Sequence, residues 1–384
     1  MVQLAVLCAF VVFLGLTLFA VTRPRGTLLM TGGVHAATAL LLLFSALMTG
    51  ILYDDNTYIG DLWTAFDAMN KTVEGQRSSV DYFNPIGPVY EWILALALHL
   101  RAASATTVLL AGAIAGALAA LLGGAMLSRR MSGLGVAMAL LATAAAAVSG
   151  REIDALFTNL TVDFLAPYNR WGWAFLIPVA LRLATPARGR DLIGAMACGF
   201  AIAALLCLKA TYGVAALGLL ACSVGLRVER LANGLLTLAA TAAALLLAQA
   251  LTGQILPYFH NLQTAAHFAT SGLRLLDFNR QAGEMMLAAL LGVLFLALTW
   301  QGSGLSRADA VRAVIMLCLV AGMGSAVLMQ NHYVTEAGLY CILPLIAVEW
   351  TGFLRRALPR RDPAIAALLV ALAFVTLRPA VIDT

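Results

Sequence analysis

The sequence predicts an all-α fold, a polytopic bundle of transmembrane helices, on three observations. Of 384 residues, 62 % are hydrophobic and 11 % charged, whereas about a quarter are charged in an ordinary soluble domain. The mean hydropathy is +0.91. Continuous apolar runs such as Leu235 to Leu251 suit helices crossing hydrocarbon, which need roughly 20 such residues, and lack the ten-residue alternation of a membrane barrel. With loops subtracted, the length holds about 12 spans. A soluble enzyme and a single-span receptor are thereby excluded.

A window of about 19 residues places candidate spans at 2–21, 27–52, 104–127, 133–149, 171–185, 192–208, 211–226, 231–251, 285–301, 311–329, 338–353 and 364–382. The first lacks the basic flank and cleavage region of a signal peptide and reads as a retained span. Segment 85–100, opened by Pro85 and Pro88 and closed by His99 and Arg101, is short enough for an interfacial or re-entrant helix. No repeat or linker divides the chain, which reads as one membrane domain over 1–384. The six cysteines (Cys8, Cys198, Cys207, Cys222, Cys318 and Cys341) lie in apolar runs without CxxC spacing. They read as small core hydrophobes, not as a disulfide framework or a zinc site.

Charge reports topology. The net charge is +5, but the basic residues are scattered through short loops, so no nucleic-acid partner is expected. Assigning the turns at Arg23/Arg25, Arg129/Arg130, Arg182/Arg188/Arg190, Arg227/Arg230, Arg307/Arg312 and Arg355/Arg356/Arg360/Arg361 to the cytoplasm puts 15 of 24 Lys and Arg there, as the positive-inside rule prefers. Only Asp191, Glu229, Asp309, Glu349 and Asp362 of the 19 acids share that side. The assignment requires that 85–103 make no net crossing. If it crosses, the loops on one side of it exchange faces.

The outer face then carries the polar chemistry. Loop 53–84 holds Asp54, Asp55, Asp61, Asp67, Glu74 and Asp81. Within it Ile59, Leu62, Trp63, Phe66 and Met69 recur at three- and four-residue steps, an amphipathic helix along the membrane surface. Asp54 and Asp55 stand just before that helix at a span end, and capping explains one of them but not two. Loop 150–170 begins likewise with Glu152 and Asp154. Outer loop 252–284 contains His260, His267, Arg274 and Arg280, and loop 330–337 contains His332. With Lys209 and Arg170, these cations suit a phosphate or diphosphate carried on a lipid. The plainer readings are a snorkelling lysine, an aromatic belt with an arginine anchor at Arg170, and interfacial histidines without HExxH spacing.

This arrangement resembles the GT-C superfamily of integral membrane glycosyltransferases, which includes protein O-mannosyltransferases and aminoarabinose transferases. The resemblance rests on Tyr53-Asp54-Asp55-Asn56, the surface helix after it, the stretch Asp81-Tyr82-Phe83-Asn84-Pro85-Ile86-Gly87-Pro88-Val89-Tyr90, and Glu152-x-Asp154. It covers the first 170 residues, with 171–384 forming the remaining bundle. The acidic loop here follows the second span, not the first as in the family.

The resemblance implies a polyprenyl-phosphate-linked sugar donor, with Asp54 or Asp55 as base and Glu152 and Asp154 as the second acidic motif. Asp81, Tyr82, Asn84 and His332 are candidates for holding the acceptor, which is a lipid, a polysaccharide or a protein. Donor phosphate falls to Arg170, Lys209, Arg274, Arg280, His260 or His267. A divalent cation, Mg or Mn, held by acids from separate loops is an open alternative. The expected place is a bacterial inner membrane, with the bilayer around the bundle and the active site on the periplasmic face. The competing readings are a secondary transporter, an O-antigen ligase or polymerase using loop 252–284, and a non-catalytic envelope scaffold.

Overall fold

The computed structural model describes residues 24–47, 59–148, 167–268, 280–330 and 339–352. The regular elements among the described residues are all helices, and helices are the economical answer to an apolar solvent because each satisfies its own backbone polar groups. In chain order they are α1 (Pro24–Leu47), α2 (Ile59–Val73), α3 (Pro88–Leu100), α4 (Ala105–Leu127), α5 (Gly133–Val148), α6 (Pro167–Ala184) and α7 (Leu192–Leu208). There follow α8 (Ala210–Gly225), α9 (Leu231–Thr252), α10 (Ile255–Phe268), α11 (Arg280–Ser303), α12 (Arg307–Gln330), a 3₁₀ turn (Tyr340–Ile342) and α13 (Leu343–Thr351). Ala105–Leu127, Leu231–Thr252 and Arg307–Leu328 are long and apolar enough to cross a membrane, which gives the chain the character of an integral membrane protein. The expected spans 2–21 and 364–382 lie outside the described residues.

Helices α4 to α9 run back and forth between two polar ends. One end gathers the basic turns. Arg130 donates to the carbonyls of Arg182 and Thr185 at 2.9 and 3.0 Å, the Ala187 N–H donates to Val228 O at 2.9 Å, and the Ser132 hydroxyl donates to Glu349 at 2.6 Å. A cavity of about 230 Å³ there is lined by Arg130, Thr185, Arg188, Leu305, Glu349 and Gly352, among others. The turns that the charge pattern assigns to one face thus share one end, as far as they are described.

Small residues let the helices approach closely, which in lipid replaces the hydrophobic drive between helices. A Cβ on Gly112 would lie 3.1 Å from Ala147 O, and one on Gly116 3.0 Å from Ala147 Cβ, so α4 and α5 meet almost backbone to backbone. On α7, a Cβ at Gly199 would lie 2.5 Å from Thr237 O of α9. Thr237 and Thr241 add hydrogen bonds across this seam, to Ala195 O at 3.2 Å and Gly199 O at 3.1 Å. Such bonds contribute about 0.6 kcal/mol each in a bilayer.

Segment 85–103 resolves into α3, whose 13 residues extend about 20 Å, short of a hydrocarbon core of about 30 Å. Its start is tied to the far end of α7, where the Gly87 N–H donates to Leu208 O at 3.1 Å. Just past its end, Arg101 donates to Ala46 O near the close of α1 and to Thr106 O at 3.1 Å near the head of α4. Leu208, Ala46 and Thr106 all belong to the end opposite the basic turns. The segment therefore makes no net crossing. In a background cleared of native cysteines, Asp81→Cys and Ala103→Cys are expected to react with a membrane-impermeant maleimide from the same side, and Arg129→Cys from the other. Labelling of 81 and 103 from opposite sides would overturn this path.

Two sequence expectations change. Loop 252–284 is in its first half the helix α10, and Arg280 opens α11 instead of standing in a loop. The period Ile255, Tyr258, Phe259 and Leu262 explains the helix, because it is amphipathic. On α2 the expected apolar face is only partly the packed one. Leu62, Ala65 and Met69 are buried, while Trp63 is 62 % exposed.

Candidate functional site

At the end opposite the basic turns, three loop regions converge through Gly87 and Gln254. The Trp92 indole donates to Gln254 Oε1 at 2.8 Å, fixing α3 to the turn between α9 and α10. The Gly87–Leu208 bond sets the 74–91 region against Lys209, the single extended residue (φ −158°, ψ 115°) between α7 and α8. Lys209 Nζ donates to Asn169 Oδ1 at 2.6 Å and lies 5.2 Å from the centre of the Tyr168 ring. Tyr168 in turn packs edge-on against Tyr90, at 5.7 Å between ring centres.

A buried carboxyl lies in the neighbouring 74–91 region, with Lys71 as the cation that acts on it. Glu91, in the first turn of α3, is 1 % exposed and accepts from Asn84 Nδ2 at 2.5 Å. Asn84 Nδ2 also meets Ser78 Oγ at 3.1 Å, and Asn84 Oδ1 accepts from the Ile86 N–H at 2.9 Å. The Tyr82 hydroxyl is buried beside Glu91 and Ser78 without a well-formed hydrogen bond of its own, and Lys71 Nζ stands 4.4 Å from its ring centre. Burial pushes the Glu91 carboxyl above the ordinary range, against the pull of Tyr82, Ser78 and Asn84. Burial and then Glu91 push the Tyr82 phenol up as well. Exposed Asp81 is held below the ordinary range chiefly by the Arg77 backbone N–H, which donates to it at 2.6 Å.

Of the residues singled out in the sequence, Asp81, Tyr82, Asn84, Arg170 and Lys209 therefore lie at one end. His260 and His267 are exposed on α10 and do not join the Lys209 cluster. Arg280 heads α11. Asp54, Asp55, Glu152, Asp154, Arg274 and His332 lie outside the described residues. Their flanks are informative nonetheless. Leu47 and Val148 close helices at the same end as Lys209, and Pro167 opens one there, so both acidic stretches connect to it. Among the described residues no three His, Cys, Asp or Glu side chains gather as metal ligands.

Sequence reasoning missed two features. Glu91 is hidden in an apolar segment, and its only signal is a lone acid one turn after Gly87-Pro88. The second is a buried ionic network at the basic end. Arg182 and Arg130 are 0 % and 3 % exposed, Glu229 2 % and Asp191 6 %. Arg182 Nη1 pairs with Asp191 at 2.6 Å, Arg182 Nη2 approaches Glu229 at 3.5 Å, and Arg130 pairs with Glu229. Asn233 Nδ2 completes it, donating to Glu229 Oε1 at 2.9 Å. Charges that read as topogenic are in fact a ring of paired groups locking four helix ends together. Comparison with known proteins finds no matching family, no matching curated protein and no matching solved structure, so the site is read from its own geometry.

Proposed function

We propose that this chain is an integral membrane glycosyltransferase of about 12 spans that moves a sugar from a polyprenyl-phosphate donor to an acceptor hydroxyl. The acceptor is a lipid, a polysaccharide or a protein, and the site faces outward from a bacterial inner membrane. The observation that carries the reading is the meeting of Lys209 and Asn169 with the Asp81–Glu91 region, at the end to which both acidic stretches connect. Asp54 or Asp55 takes the acceptor proton, and the acceptor oxygen bonds to the anomeric carbon. The bond from that carbon to the phosphate oxygen breaks, and its electron pair leaves with the phosphate. Lys209 and Arg170 offset the charge gathered there. In this reading Asp81, Tyr82 and Asn84 hold the acceptor.

A transporter would concentrate ionisable groups at mid-bilayer. Helices α4, α5, α7, α8 and α9 carry no Asp, Glu, Lys or Arg, which favours the enzyme. The test is sugar transfer in isolated membranes from a polyprenyl-phosphate sugar, with Asp54→Asn and Asp55→Asn made separately. Loss of a general base predicts a fall of roughly 100-fold or more for one of them. Wild-type turnover in both would sink the reading.

A further inference from the structure

We infer that the head of α8 is a phosphate-binding site, built from Lys209, Thr211 and Tyr258 together with the first backbone N–H groups of the helix. Its ligand as a lipid-linked phosphate rests on the glycosyltransferase reading. Its affinity for an oxyanion rests on the geometry alone.

The 16-residue helix α8 begins without a side-chain cap, and the residue at its N-cap position is Lys209. Lys209 also caps the C-terminus of α7, where a cation is favoured, but for an empty head of α8 it is an unfavourable choice. The N-terminus already carries the positive end of the macrodipole, and a cation adds like charge to it. Ser, Thr, Asp and Asn, the residues that would satisfy the first N–H groups, are the preferred ones at this position. Uncapped N–H groups, the dipole and a lysine together are complementary to an anion.

The second observation comes from a different helix. Tyr258 of α10 is 0 % exposed. Its hydroxyl sits against the Ala210 backbone N–H at the head of α8, without a well-formed hydrogen bond. Thr211 Oγ1, in the first turn of α8, is likewise buried without a hydrogen-bond partner. Buried hydroxyls without partners are rare in native structures and call for an explanation. Two of them at one uncapped helix head, beside a lysine, are explained by a ligand that is all acceptor. Lys209, Ala210 and Thr211 are only half-buried, so the head of the helix is reachable. Asn169 Oδ1, accepting from Lys209 Nζ at 2.6 Å, holds the ammonium in place.

The test is calorimetric titration of the purified full-length protein with a polyprenyl phosphate, the corresponding polyprenol, and inorganic phosphate. The polyprenyl phosphate is expected to bind and the polyprenol to give no measurable heat. Tyr258→Phe and Thr211→Val, which keep shape and remove one hydroxyl each, are expected to weaken binding about tenfold with an unchanged melting temperature. If Tyr258→Phe fails to fold, Thr211→Val at its half-buried position carries the test. Inorganic phosphate binding with the same dependence on the two hydroxyls assigns a site for the free anion, and binding of the lipid-linked form alone assigns a headgroup site. Equal binding of polyprenol, or wild-type affinity in both variants, overturns the inference. These titrations do not involve sugar transfer. Failure of Asp54→Asn and Asp55→Asn to reduce turnover would remove the glycosyltransferase reading and leave the phosphate site standing.

Discussion

Replacing Glu229 by alanine is expected to cost about 3–5 kcal/mol of stability, the usual penalty for stripping the partner from a buried charge. The reason lies in how many groups depend on this carboxylate. Arg130 pairs with it, Arg182 approaches it at 3.5 Å, and Asn233 donates to it at 2.9 Å. Its removal leaves two guanidinium groups facing each other out of water, with Asp191 on Arg182 as the remaining counter-charge. Glu229→Gln keeps an acceptor for Asn233 while deleting the charge, and should fall between wild type and alanine. Denaturation of the purified protein, followed by the loss of helical signal, measures all three. A melting temperature in Glu229→Ala equal to wild type would show that the network contributes nothing.

Gly87→Ala is expected to cost about 3 kcal/mol, at the upper end for overpacking. Gly87 sits at φ −72° and ψ 155°, which any residue adopts, so the requirement for glycine is one of space. A Cβ there would fall inside the van der Waals shell of the Cys207 carbonyl. The obstacle is backbone near the end of α7, which no side-chain rotation relieves. To accommodate the methyl, α3 must back away and give up the Gly87–Leu208 bond, and the Asp81–Glu91 region moves off Lys209 with it. Both stability and any activity at that end should fall. Gly124→Ala is the control, because no atom lies within 4 Å of its added methyl and alanine is the better helix former. Equal melting of the two variants would refute the packing argument.

Helix positions were largely legible in the sequence because lipid leaves the chain little choice. An apolar run must satisfy its own backbone, so its ends coincide with the charges that cannot follow it. The expected 192–208 and 231–251 match α7 and α9 within a residue. Which way a charged side chain faces was not legible. Arg182 and Arg188 both read as topogenic, yet Arg182 points inward and is fully buried, and hydropathy does not separate the two. A usable signal was present in the acids. Of the acids at the basic turns, Asp191, Glu229 and Glu349 are each buried with a partner from another element, whereas the half-buried Asp309 pairs within its own helix. The approach of Gly87 and Tyr90 to the Lys209 turn was equally hidden, since it depends on a glycine contact between segments more than 100 residues apart.

The stretch between the two polar ends has an electrical consequence. A membrane potential does work only on charge that moves through the hydrocarbon, about 2.3 kcal/mol per elementary charge per 100 mV. Helices α4, α5, α7, α8 and α9 contain no Asp, Glu, Lys or Arg, and give the field nothing to move. They act as an insulator between two charged plates. Any voltage dependence of the protein must therefore come from charges outside these five helices.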